Sequence, residues 1–129
     1  MKKCKPLAFL LCEKASRASD GKVTLHGLFD RMIIPRKAAT PKMFFIYYKV
    51  VVQEPCTVSL KAVDPAGREI PLPWRDSLSE IGPVQGIWAL TTTLFPQPGN
   101  YALGLMQLNE GSEPVSLAST IMIVDQEVD

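Results

Sequence analysis

The chain carries one histidine, no Cys-x-x-Cys pair and a formal net charge of only +1, and each scarcity removes a class of chemistry. Lys and Arg number 14 against 13 Asp and Glu, which leaves too little field to hold a phosphate backbone, so nucleic acid is not an expected partner. The three cysteines, Cys4, Cys12 and Cys56, are scattered, and a single His26 cannot complete a zinc set with them, so no metal is expected. The acidic residues are spread too thinly to ligate calcium. No Gly-x-Ser-x-Gly elbow, Walker loop or dinucleotide fingerprint occurs, so neither a cofactor nor catalytic residues are expected. Long apolar runs are missing too. None approaches the ~20 residues of a membrane-spanning helix, and no membrane partner is expected. The run Leu7–Cys12 is shorter than the ~7–15 residues of a secretory core and ends at Glu13-Lys14. Cys12 follows Leu11 rather than a small residue, a poor context for lipid attachment. An odd cysteine count without an export signal points to reduced thiols and a cytoplasmic location. A Cys12–Cys56 disulfide would need neighbouring, inward-facing positions, and the sequence leaves open whether those two are close.

What the chain does have is proline and alternation. Prolines number 11 in 129 residues, about 9% against a usual ~5%, and they fall between apolar segments. With 47% apolar and 21% charged residues the composition is that of a folded protein, and the length suits one domain spanning 1–129 with its core over about 6–124. The clearest punctuation is Pro96-Gln-Pro-Gly-Asn-Tyr101, between alternating segments Ile87–Phe95 and Tyr101–Leu108. Proline cannot donate to a ladder and Gly99 can take positive φ, so the stretch ends one strand and starts another. Further strands are predicted over Pro6–Lys14, Lys22–Ile34, Met43–Gln53, Cys56–Val63, Arg68–Leu72 and Val115–Val124. Asp64-Pro-Ala-Gly67 reads as a type I turn, Pro35–Lys42 as a loop, Pro73–Gly86 as the longest irregular stretch and Asp125–Asp129 as an acidic tail. No segment sustains a 3.6-residue apolar period; only Ala15–Ser19 and Ser77–Ile81 could form a helical turn. The resulting expectation is an all-β, antiparallel two-sheet sandwich of about eight strands, an immunoglobulin-like Greek key.

Candidate functional residues are few. Met43–Gln53 is apolar on both faces, whereas a sandwich strand normally shows water one of them. Either intrachain elements or a second protomer must cover the outer face, which makes Tyr47 and Val51 candidate interface residues and a homodimer a candidate state. Trp74 stands in a loop beside Arg75, where an aromatic ring could anchor a partner, stack on a sugar, or seal the end of the sandwich. Trp88 alternates with Leu90 and Leu94 and reads as core. His26 and Asp30, four residues apart and of the same parity, would share a strand face, a weak basis for a hydrolase. Tyr101, just after Pro-Gly-Asn, reads as a structural latch whose hydroxyl bonds to the preceding connection.

Three stretches together carry a family resemblance. Leu7-Ala-Phe-Leu-Leu-Cys-Glu13 with Gly21-Lys-Val-Thr-Leu-His-Gly-Leu-Phe-Asp30 resembles the opening of a small, uncharacterised family found in bacteria and associated with phage. Val58-Ser-Leu-Lys-Ala-Val-Asp-Pro-Ala-Gly-Arg-Glu-Ile-Pro-Leu-Pro73 resembles its strand, turn and proline-bearing return, and Pro96–Tyr101 resembles its late hairpin. The resemblance runs from about Leu7 to Val124. It implies a compact β-sandwich and, because the family is a domain of unknown function, brings no catalytic residues. Together with the two-sided strand it leads to a non-enzymatic protein–protein interaction or structural module, with a carbohydrate- or small-molecule-binding module using Trp74, Trp88 or Tyr47 as the alternative.

Overall fold

The computed structural model describes residues 2–34 and 41–126; residues 35–40 of the predicted Pro35–Lys42 loop and 127–129 of the acidic tail lie outside the described residues. Among the described residues ten strands form two facing sheets. The first sheet has the order β2 (Val23–Leu28), β1 (Cys4–Arg17), β4 (Met43–Val52), β8 (Gly82–Thr91). The second runs β3 (Arg31–Ile34), β10 (Val115–Gln126), β9 (Gly99–Leu108), β5 (Cys56–Val63), β6 (Glu69–Ile70), and β7 (Arg75–Leu78) also pairs with β5. The protein is an all-β sandwich.

The core follows from alternation. Phe44, Ile46, Tyr48, Val50 and Val52 of β4 point between the sheets and are buried, as are Val58, Leu60 and Ala62 of β5 and Tyr101, Leu103 and Leu105 of β9. β-Branched and aromatic side chains at every second position fit this pleated, half-buried surface. Trp88 joins the core as expected, its ring centroid 4.8 Å from that of Tyr48. At the Pro96–Asn100 corner, Tyr101 donates its hydroxyl to the Gln97 carbonyl at 2.8 Å and accepts from the Gln97 N–H at 3.0 Å. The latch expected of Tyr101 is present, and burial pushes its ionisation upward.

The structure departs from the sequence reading at several places. The segment Lys22–Ile34 is two strands, not one. Gly27 takes φ +68°, Phe29 N–H bonds to Leu11 O, and the Asp30 carbonyl accepts from Ile123 N–H in the other sheet. The chain therefore crosses between sheets at Phe29–Asp30. Because β3 arrives by a crossing rather than a hairpin, it pairs parallel with β10, the one parallel pair among the described strands. The stretch Pro73–Gly86 contains β7 and the start of β8, and both helical candidates fall partly in strands, β1 and β7. A 3-10 turn, Thr92–Leu94, interrupts the strand predicted over Ile87–Phe95.

Candidate functional site

The two-sided apolar strand is explained inside the chain. Register places Leu28, Cys12, Phe45 and Ala89 in one row across the first sheet, with Leu10, Tyr47 and Ile87 in the next. Directly paired residues share a face, and this face is the outer one, since Phe44 and Ile46 point into the core. Yet Cys12 is 0% and Tyr47 8% exposed, and neither belongs to the core cluster. The β1–β2 hairpin supplies cover. Arg17 Nη2 donates to the Gln85 carbonyl at 3.2 Å, and Gln85 Nε2 donates to the Gly21 carbonyl at 3.3 Å. Arg17 lies five residues past Cys12, and Gln85 four residues from Ala89 in the opposite direction. Nine residues of straight strand at ~3.3 Å each would hold them ~30 Å apart. The hairpin must therefore fold back over the outer face. It bends where the left-handed Gly27 stands close to the Glu13 side chain.

Gln85 is the clasp. Its Oε1 also accepts the Tyr47 hydroxyl at 2.5 Å, so one side chain ties β4 to the hairpin tip. Burial raises the ionisation of both Tyr47 and Cys12. Tyr47 thus presents no open interface surface. Val51, between Lys5 and Pro83 in the register, is half-buried on the same outer face.

Trp74 and Arg75 stand elsewhere, on the second sheet, so the four singled-out residues do not converge on one site. Trp74 is half-buried against the core, and its carbonyl accepts Leu60 N–H at 3.1 Å. It seals the sandwich more than it faces solvent. Trp88 and Tyr47, the other proposed sugar platforms, are buried. Arg75 is exposed, opposite Ser59, at the meeting of two open grooves of about 250 and 530 Å³. His26 is exposed on the hairpin, and Asp30 lies beyond the end of its strand, past the left-handed Gly27. The shared strand face expected for His26 and Asp30 does not exist. Among the described residues no group of three or more His, Cys, Asp or Glu is placed to hold a metal ion, and no helix is long and apolar enough to cross a membrane.

One surface escaped the sequence reading. Leu10 and Leu28 line a groove of about 350 Å³ with Phe29, Asp30 and Thr120, and they are 39% and 62% exposed. Leu7, 51% exposed, occupies the bulge in β1 between Pro6 and Ala8. Because β2 pairs β1 only from Cys12 onward, the Cys4–Leu11 part of β1 has a ladder partner on one side only among the described residues. The available signal was the short apolar run Leu7–Leu11, which reads equally well as a buried strand.

The comparisons with known proteins agree with this geometry. The fold is similar to that in the crystal structure of the C-terminal domain of wzt, with a TM-score of 0.56 and 14% identity, covering 100% of this chain and 77% of that one. At that identity the likeness concerns the fold alone. No curated protein matches the chain. A family model does match residues 7–117, most of the chain and the same stretches that carried the sequence resemblance, and the protein therefore belongs to the family of unknown function DUF6941.

Proposed function

We propose that the chain is a non-enzymatic protein–protein interaction module that binds through the apolar groove beside β1 and β2. The observation that carries this reading is the exposure of Leu10 and Leu28 together along one groove, with Leu7 nearby. Large apolar side chains gathered at a groove are what protein contacts bury, whereas singly scattered ones carry no such meaning. Side-chain packing, not strand addition, is the mode of contact. The open edge of β1 is blunted by Lys5, Pro6 and the bulge at Leu7, devices that discourage another strand from pairing. The occupant can be a second copy, meeting the same patch across a two-fold axis. A cytoplasmic setting belongs to the same reading and is supported by the three free thiols.

Light scattering at tens of micromolar tests it. The expected result is a mass above the monomer for the wild type and a return to monomer for Leu28→Glu, with unchanged folding by circular dichroism. A strictly monomeric wild type, indistinguishable from Leu28→Glu, overturns the self-associating form.

A further inference from the structure

Cys4 and Cys56 lie far apart in sequence, yet both face the space between the sheets. Cys4 pairs with Val52, and its side chain points inward with that buried valine. The chain then turns sharply, because Lys3 O accepts both Gln53 N–H at 2.9 Å and Glu54 N–H at 3.0 Å, and two residues later it reaches Cys56. Cys56 pairs with Leu78 and lies two residues before Val58, both inward-facing core residues, so Cys56 faces the interior as well. From the second sheet, Gln107 closes the triangle. It sits directly opposite Val58, and its Oε1 lies 3.8 Å from the Cys4 sulfur. Cys56 stands close enough to the Cys4 thiol to raise its ionisation, after burial has already done so. Cys12, by contrast, is on the outer face of the first sheet beneath the hairpin. The pairing to consider is therefore Cys4–Cys56, not Cys12–Cys56.

We propose that Cys4 and Cys56 form an oxidisable dithiol that closes to a disulfide by exchange with a low-molecular-weight disulfide of the glutathione type. Cys56 is half-exposed and lines the open groove of about 530 Å³ beside Lys3 and Arg75, so an oxidant carrying carboxylates can reach it. Burial, and then contact with Cys56, pushes the Cys4 thiol up to about 12, which keeps Cys4 protonated at neutral pH. The order of events follows. The Cys56 thiolate attacks one sulfur of the small disulfide, its S–S bond breaks, and one thiol leaves carrying the electron pair and a proton from solvent. Cys4 then loses its proton to solvent and attacks the Cys56 sulfur, expelling the second small thiol. Two protein thiols are oxidised and one small disulfide is reduced to two thiols. The product ties the start of the first sheet to the second.

Incubating the full chain with glutathione disulfide, then mapping non-reduced peptides by mass spectrometry, tests this without any variant. The expected result is a product lighter than the reduced chain by two hydrogens, containing a Cys4–Cys56 cross-link, with Cys12 still alkylated after denaturation. Closing a loop of about 50 residues should also raise Tm by roughly 10 °C over the reduced form. Cys56→Ser abolishes the rise and Cys12→Ser keeps it. A stable glutathione adduct that never closes, a cross-link that uses Cys12, or an unchanged thiol count each overturns the proposal.

Discussion

Gly86 shows how tightly a single residue can be held. It pairs directly with Tyr48, and a methyl group built on it would overlap the Tyr48 ring. That ring cannot swing aside, because Trp88 packs on it and its hydroxyl donates to Asp76. Gly86→Ala should therefore cost about 3 kcal/mol, the upper end of what overpacking a core side chain costs. Urea unfolding measures it, and a change under 1 kcal/mol would show that the ring has room. The sequence announces a glycine within an alternating strand, but not that a tyrosine lies over it. Tyr101 was more legible. A tyrosine that opens a strand just after Pro-Gly-Asn has the preceding connection within reach, so local spacing was enough to predict its bonds to Gln97.

At the scale of elements, the β1–β2 hairpin decides what the outer face of the first sheet offers. Gln85 holds its tip with a side-chain hydrogen bond to Gly21 and is itself anchored to the sheet by one from Tyr47. Gln85→Ala removes both while the Arg17 bond to the Gln85 carbonyl stays available. Opening breaks only the bond to Gly21, since Tyr47 and Gln85 both stay in the sheet, so at about 1 kcal/mol for that bond the hairpin should open about fivefold more often. Cys12 reports the opening, since it is fully covered in the closed form. Native-state alkylation of Cys12 should accelerate about fivefold in Gln85→Ala, and an unaltered rate would mean that something other than the clasp controls access. The alternation of Met43–Gln53 correctly demanded a cover for the second face. It could not say that the cover comes from the same chain, because the fold-back is set by the bend at Glu13 and Gly27 and by contacts 64 and 68 residues apart in sequence.

Across the whole molecule, Tyr48 and Asp76 join the two sheets, one on β4 and the other on β7. Burial raises the Tyr48 ionisation, and the neighbouring Asp76 carboxylate raises it further. Folding thus favours the protonated phenol. This contribution is complete below the unfolded tyrosine value of about 10 and is lost as pH rises above it toward the folded value, at up to ~1.4 kcal/mol per pH unit. Stability should fall steadily above pH 10, with Tyr47 and Tyr101 adding slope in the same direction. Tyr48→Phe should lose about 1–2 kcal/mol at neutral pH through the unpartnered carboxylate, and it should flatten the alkaline decline. Chemical denaturation between pH 7 and 11 checks both; parallel curves for wild type and variant would remove Tyr48 from the account.

By itself the sequence determined the class, the alternating core and the proline-marked corners, because side-chain period and turn chemistry are local properties of the chain. Only the tertiary structure decided which sheet each strand joins, that β3 crosses over to pair parallel with β10, that the hairpin folds back over Tyr47 and Cys12, and that Cys4 rather than Cys12 meets Cys56. Each of these depends on pairing between distant segments, where many registers satisfy the same alternation, and only the simultaneous burial of both sheets selects one.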